Sequence, residues 1–388
     1  MLQIVAIAIG IVLGVLSGMM PGMHSNTVAS VLATLPLSPG DFAYIIVAVL
    51  GAHIVFSFFP SVFLSIPDDT VVASVLPGHR MALEGRGREA ITICAFSAVL
   101  AAGSSAILLP AALVLLPPVY AAISPHIAAI LVAASLFLLA SEREMGKILL
   151  AAFVFLLAGA LGAATMQAGV EDSLFPAFSG LFAASAILLS FTSKERVPPQ
   201  EGGRTKLDFL WYVAAGVLLG ALSDLLPGMA APAQIAIFAS VFIVSDDARK
   251  FLALIASIAA SHAVFAFAAL VSIGKAREGA LAVLNGVAPV NAGDLPVLAG
   301  VLLLSIGVSA FLLLRLARHA DRLQKFGMRS VNLGILAYLL CAVAIISGGE
   351  GLLVFATATA IGLLPPLLGI RRTHVMGLII VPSILLAL

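Results

Sequence analysis

The sequence predicts an all-α integral membrane protein built from two related halves, and three observations lead there. Of its 388 residues, 62% are hydrophobic and 10% charged, with a mean hydropathy of +1.18; a soluble domain carries about a quarter charged residues. Apolar runs near the roughly 20 residues needed to cross a bilayer recur from end to end. Finally, Gly14-Val15-Leu16-Ser17-Gly18-Met19-Met20-Pro21-Gly22-Met23 returns 206 positions later as Gly220-Ala221-Leu222-Ser223-Asp224-Leu225-Leu226-Pro227-Gly228-Met229, with Gly10 and Gly216 at the same offset. Proline lacks an amide donor and glycine adds backbone freedom, so Pro-Gly breaks a helix. In hydrocarbon the freed backbone groups are tolerated only where protein, water or ligand meets them.

In chain order, the first half reads as apolar segments at 2–20, 27–36, 42–66 (interrupted at Pro60), 89–117, 119–140, 146–165 and 175–191. The first of these begins without a Lys or Arg, unlike a signal peptide, and is expected to be a retained helix. The polar stretch 192–207 is the candidate linker, cytoplasmic by its basic residues, between a first repeat at 1–191 and a second at 208–388. The second half reads 208–226, 233–245, 250–272, 294–314, 330–347, 351–369 and 374–388. About 12–14 membrane elements result; residues 27–36 and 233–245 are short enough either to span or to re-enter.

Basic residues in loops set orientation. Arg315, Arg318, Arg322, Lys325 and Arg329 mark the cytoplasmic side, and Arg371/Arg372, Arg249/Lys250, Arg143/Lys147 and Arg80/Arg86/Arg88 fall with them. The opposite loops 37–41, 166–174 and 348–350 have no Lys or Arg; only 273–293, with Lys275 and Arg277, departs from the rule. Seven crossings followed by a repeat give an inverted-topology pair, and broken helices at matching points of two halves mark a transporter's binding site. His53-Ile54-Val55-Phe56-Ser57-Phe58 returns as His262-Ala263-Val264-Phe265-Ala266-Phe267, and Val75-Leu76-Pro77-Gly78 as Val283-Leu284-Asn285-Gly286, at offsets of 209 and 208.

The candidate substrate-binding residues cluster at the two breaks and just beyond them: Pro21, Gly22, His24, Ser25, Asn26, Thr27, Pro227, Gly228 and Met229, with Ser57 one turn beyond His53. Ser, Asn and Thr also suit a plain helix cap, but a helix start at membrane depth presents free amides and about half a positive charge to an anion. The candidate ion-coupling residues are Asp224, Ser223, His53, Ser261 and His262. Asp224 stands where the first copy has Gly18, and an intramembrane carboxylate is a functional candidate by default; an interfacial Asp is the plainer alternative. The recurrent histidines fit a shared role or a duplicated packing role equally. Asp68 and Asp69 read as solvated. Cys94 and Cys341 lie alone in apolar runs and bind no metal by spacing. No HExxH, GxSxG or GxxxxGK[ST] occurs, which argues against an enzyme or an ATP-driven pump. A net charge of +1 argues against nucleic acid as partner.

The run Phe63-Leu64-Ser65-Ile66-Pro67-Asp68-Asp69-Thr70, followed by Val75-Leu76-Pro77-Gly78-His79-Arg80-Met81-Ala82-Leu83-Glu84-Gly85-Arg86-Gly87-Arg88-Glu89-Ala90, resembles the large permease subunit of tripartite tricarboxylate transporters, the TctA type. The likeness covers residues 10–90 and, through the repeat, 216–290; Asp68 stands where that family usually has glycine. The resemblance implies a permease for a small organic anion, with a small membrane subunit and an extracytoplasmic binding protein as partners, in the cell membrane. No cofactor is expected. With no Lys or Arg in either break, two half-helix ends offer a di- or tricarboxylate roughly one positive charge in total. A buried anion so poorly compensated is prohibitive, so a coupled sodium ion or proton is expected, with Asp224 and the carbonyls freed at Pro21 and Pro227 around it. The alternatives are a carrier for an anionic lipid such as a polyprenyl phosphate, or an intramembrane His/Asp hydrolase.

Overall fold

The computed structural model describes residues 3–20, 23–64, 75–168, 174–191, 198–201, 205–225, 235, 247–320 and 328–388. Among them every regular element is helical, as an all-α membrane protein requires. Among the described residues, six helical stretches are long and apolar enough to cross a membrane: Pro39–Leu64, Gly87–Ala140, Met145–Gln167, Ala248–Ile273, Ala292–Ala317 and Arg329–Leu368. Four shorter apolar helices accompany them. Ile107 and Ile345 are 81% and 82% exposed. Such side chains would be costly in water and are at home against lipid. The protein is a multi-pass membrane protein.

The chain forms two compact units, each drawing on both halves of the sequence. The larger comprises residues 1–124, 197–236 and 245–324. Its helices are α1 (Gln3–Met19), α2 (Ser25–Ala33), α3 (Pro39–Phe56), α4 (Phe58–Leu64), α5 (Val75–Leu83), α6 (Gly87–Ile123), α10 (Leu210–Ser223), α11 (Ala248–Ile273), α12 (Gly279–Val287) and α13 (Leu295–Ala317). The α3–α4 stretch and α11 are buried almost throughout, so they form its centre. The smaller unit, 125–196, 237–244 and 325–388, contains α7 (Ile127–Ala140), α8 (Met145–Gln167), α9 (Leu174–Ser190), α14 (Met328–Ile346), α15 (Gly348–Leu368) and α16 (Gly377–Ala387). Residues Ser179–Ala184 of α9 are π-helical. Small residues seat α8 on α16: Gly162 faces the Leu378 carbonyl and Gly377 the Phe155 carbonyl with no room for a side chain.

Two pairs of helices in the larger unit repeat one contact. At Gly14 an added Cβ would lie 2.5 Å from the Val49 carbonyl oxygen and 2.6 Å from Ala52 Cβ. At Gly220 it would collide with Ser261 Oγ and lie 2.9 Å from the Ile258 carbonyl oxygen. Glycine thus brings α1 onto α3 and α10 onto α11 at positions 206 apart, the spacing of the sequence repeat.

Several boundaries differ from those read along the sequence. The interruption in 42–66 falls at Ser57, ahead of Pro60. Pro60 has no amide to donate to Phe56, so the helix loses its continuity one turn earlier. Conversely α6 runs unbroken through Pro110, Pro117 and Pro118 to Ile123, and is followed by 3-10 structure over Ser124–His126. A proline removes one bond from a long ladder, and neighbouring helices hold the remainder in place. Helices α5 and α12 occupy stretches that read as loops; at nine residues each they are too short for a span. Residues 27–36 begin helical structure earlier, at Ser25. The segment 233–245 lies outside the described residues except for position 235.

Candidate functional site

Within the larger unit, the sequence around both breaks supplies one buried polar cluster. Helix α2 is capped by His24, whose Nδ1 accepts the Asn26 amide at 3.2 Å. An accepting Nδ1 carries no proton, which places the His24 hydrogen on Nε2. The His24 and His53 rings meet edge to face, 5.1 Å between centroids. Ser25 is fully buried and donates to Glu278 Oε1 at 3.4 Å. Asn26 lies against Gly279, where any Cβ would fall 2.5 Å from its side-chain amide carbon. Its Oδ1 finds no hydrogen-bond partner among the described residues. Thr27 is buried on the same helix.

The two histidines repeat each other's geometry. His53 Nδ1 is 3.0 Å from Ser17 Oγ, and the Ser17 hydroxyl donates to the Gly14 carbonyl at 3.1 Å. His262 Nδ1 is 3.0 Å from Ser223 Oγ, and the Ser223 hydroxyl donates to the Gly220 carbonyl at 2.6 Å. Each serine spends its hydrogen on its own helix, so each imidazole Nδ1–H is the donor between the pair. Beyond this the copies part. Asp224, fully buried, sets Oδ1 3.1 Å from His262 Nδ1; in the first copy Gly18 has no side chain to do so. On the other side of the ring, Glu278 Oε2 lies 3.5 Å from His262 Nε2.

Arg277, 8% exposed, completes the cluster. Its Nε donates to the Asp224 carbonyl at 2.8 Å, and its guanidinium lies 5.4 Å from the centre of the Tyr120 ring. Nη2 is buried without a hydrogen-bond partner among the described residues. A buried guanidinium with a spare donor can hold a carboxylate or phosphate.

The structure therefore brings together His24, Ser25, Asn26, His53, Ser223, Asp224 and His262 among the sequence candidates. Ser57 donates to the Ile54 carbonyl at 2.9 Å, and Ser261 bonds to the backbone carbonyls of Ser257, Ile258 and Gly216. Both hydroxyls are thus engaged with backbone. Pro21, Gly22, Pro227, Gly228 and Met229, with Asp68 and Asp69, lie outside the described residues. Ser17, Arg277 and Glu278 were not singled out from sequence. The signal for Arg277 existed: it breaks the positive-inside pattern as one of two basic residues in 273–293.

A second polar region ties down part of the linker. Gln200 accepts the buried Gly87 amide at 2.6 Å and donates to the Ala82 carbonyl at 2.9 Å, while the Glu201 amide donates to the Gly85 carbonyl at 2.8 Å. Nearby, Arg249 bridges Asp247 and Asp208, at 2.9 Å each. The Asp247 carboxyl is raised by partial burial, but its bonds from Arg249 outweigh this and hold it below the ordinary carboxylate range.

Long apolar helices around a buried set of charged and amide side chains, assembled from a duplicated motif, define the class: a membrane transport protein. The sequence profile of the tripartite tricarboxylate transporter TctA family matches residues 4–377, and the chain belongs to that family. It is thus a membrane component of tricarboxylate-type transport, a tripartite system with partner subunits. The chain is also 26% identical to an uncharacterized protein of Methanocaldococcus jannaschii, over 99% of each. No solved structure matches it.

Proposed function

We propose that this protein is a secondary-active permease of the cell membrane that carries a small organic anion, a di- or tricarboxylate, driven by a cation gradient. The observation that carries the reading is the buried Arg277 guanidinium, whose Nη2 donor has no hydrogen-bond partner among the described residues, two residues before the Gly279 that packs on Asn26. The sequence alone left the anion with helix ends for compensation; Arg277 adds a full positive charge. The side-chain NH2 of Asn26 and the start of α2 would supply further donors. Asp224 and Glu278 make a site that favours a cation alongside its anion, since two carboxylates facing a third without one would repel it. The duplicated α1–α3 and α10–α11 contacts support two repeats, and the loop charges favour their inverted arrangement, which is how alternating access is built in such carriers. The partners proposed are a small membrane subunit and an extracytoplasmic binding protein that delivers the anion.

A thermal-shift screen of purified protein against citrate, succinate, inorganic phosphate and a short-chain polyprenyl phosphate tests this, each with and without sodium. Carboxylates should raise the unfolding midpoint of wild type and fail to do so in Asn26→Ala. Stabilisation by the lipid phosphate alone would replace the carboxylate reading with a lipid one.

A further inference from the structure

Building on the permease assignment, on which this step rests, we infer that the coupling ion is a proton and that His262 carries it, clamped between Asp224 and Glu278. The geometry of the ring argues for this. Ser223 is committed to the Gly220 carbonyl, so Nδ1 of His262 must hold a hydrogen to donate to Ser223 Oγ at 3.0 Å, with Asp224 Oδ1 at ion-pair distance, 3.1 Å. A neutral imidazole would then present the lone pair of Nε2 to Glu278 Oε2 at 3.5 Å. Two electron-rich atoms facing each other in a buried site repel, and a second proton on the ring, at Nε2, converts that repulsion into an ion pair. No bond other than N–H forms or breaks.

Charge within the cluster explains why such a proton would be coupled to an anion. Arg277 and a doubly protonated His262 contribute two positive charges, Asp224 and Glu278 two negative ones, and the set is neutral. Remove the proton and the set is −1, which disfavours a carboxylate at Arg277. Proton binding and anion binding thus raise each other's affinity, a reciprocity that linkage requires. The other titratable groups near the ring come from each neighbouring element. His24 at the start of α2 and His53 on α3 lie near Glu278, and Tyr120 of α6 faces Arg277. Glu89 and Arg249 pair at the far end of α6 and α11. Thirteen residues, or about 20 Å of helix, separate Arg249 from His262. His53, although it repeats the serine bond, has Gly18 where His262 has Asp224. The second copy of the motif is therefore the proton site, and the start of α2, just past the first copy, is left to meet the anion held at Arg277.

The test is a pH titration of the full-length protein carrying 15N-labelled histidine, followed by NMR with and without citrate. His262→Gln identifies the signal. In wild type at pH 7.5, about one unit above the ordinary histidine value, both ring nitrogens should be protonated. They should not be in the Asp224→Asn/Glu278→Gln double variant. Citrate should shift the loss of the second proton to higher pH. Correspondingly, citrate affinity in wild type should fall as pH rises through the loss of that second proton, at least tenfold from pH 7.5 to one unit beyond its midpoint, and less than twofold more than the ligand's own titration in His262→Gln. A neutral His262 at pH 7.5, or a titration unmoved by citrate that binds, overturns the proton assignment and leaves the permease reading standing. A doubly protonated His262 that depends on both carboxylates, in a protein that binds no carboxylate, sinks the permease reading instead.

Discussion

Replacing Arg277 by glutamine isolates the charge on which anion binding depends. A carboxylate docked about 4 Å from the guanidinium interacts with it by roughly 4 kcal/mol at an effective dielectric of about 20. Glutamine keeps a hydrogen-bond donor, which restores about 1 kcal/mol. The net loss is about 3 kcal/mol, or roughly a hundredfold in Kd at about 1.4 kcal/mol per factor of ten. Arg277→Lys retains the charge but loses the planar fork and its stacking on Tyr120, so a loss of about tenfold is expected. Equilibrium binding of radiolabelled citrate to purified protein reads both values. The unfolding midpoint without ligand serves as the control for the lost bond to the Asp224 carbonyl. If Arg277→Gln folds and binds citrate within about threefold of wild type, the guanidinium does not hold the anion.

Gly14→Val should lower the thermal midpoint, because its added carbons meet the Val49 carbonyl and Ala52; overpacking of this kind costs about 1–3 kcal/mol. Gly40→Val, where nothing lies within 4 Å, is the matched control, and equal midpoints would refute the close approach of α1 and α3. Gln200→Ala strands the buried Gly87 amide at a cost of about 1–3 kcal/mol; limited proteolysis should then cut near residue 200 faster than in wild type. Burial pushes the Glu142 carboxyl up, but the Arg371 amide and His374, at 2.9 and 2.7 Å, more than offset it and leave the carboxyl below its ordinary range. A depressed carboxyl stabilises the fold above the unfolded value, about 4.3, and that contribution disappears as pH falls through the folded value. Wild type should therefore lose more stability than Glu142→Gln between about pH 5 and pH 3, by calorimetry; parallel profiles would refute the linkage.

Membrane class, helical fold and the family were legible along the chain because each depends on local properties: sustained apolarity, Pro-Gly breaks, and short runs such as Val75-Leu76-Pro77-Gly78. The duplication was legible for the same reason, since Gly14 and Gly220 keep the offset that their helix contacts demand. Boundaries were less so. Proline marks where a helix loses a bond, but whether it ends there depends on what packs around it. Hence Pro60 shifted a break to Ser57, while Pro117 and Pro118 produced none. Side-chain roles were legible only where no distant partner decides them. Ser261 and His262 are neighbours in sequence, yet one bonds to backbone and the other faces two carboxylates.

The amino-acid sequence by itself determined that this chain lives in lipid, that a Pro-Gly motif repeats along it, and that polar residues cluster just past the first copy. Those properties come from composition and spacing, which need no knowledge of what lies across the fold. Only the tertiary structure decided which charges meet. Glu278 lies 253 residues from Ser25 and 54 from Asp224, and Arg277 reads as a loop residue until α12 folds against α2. An electrostatic site is a sum over neighbours in space, and separation along the chain carries no record of that sum.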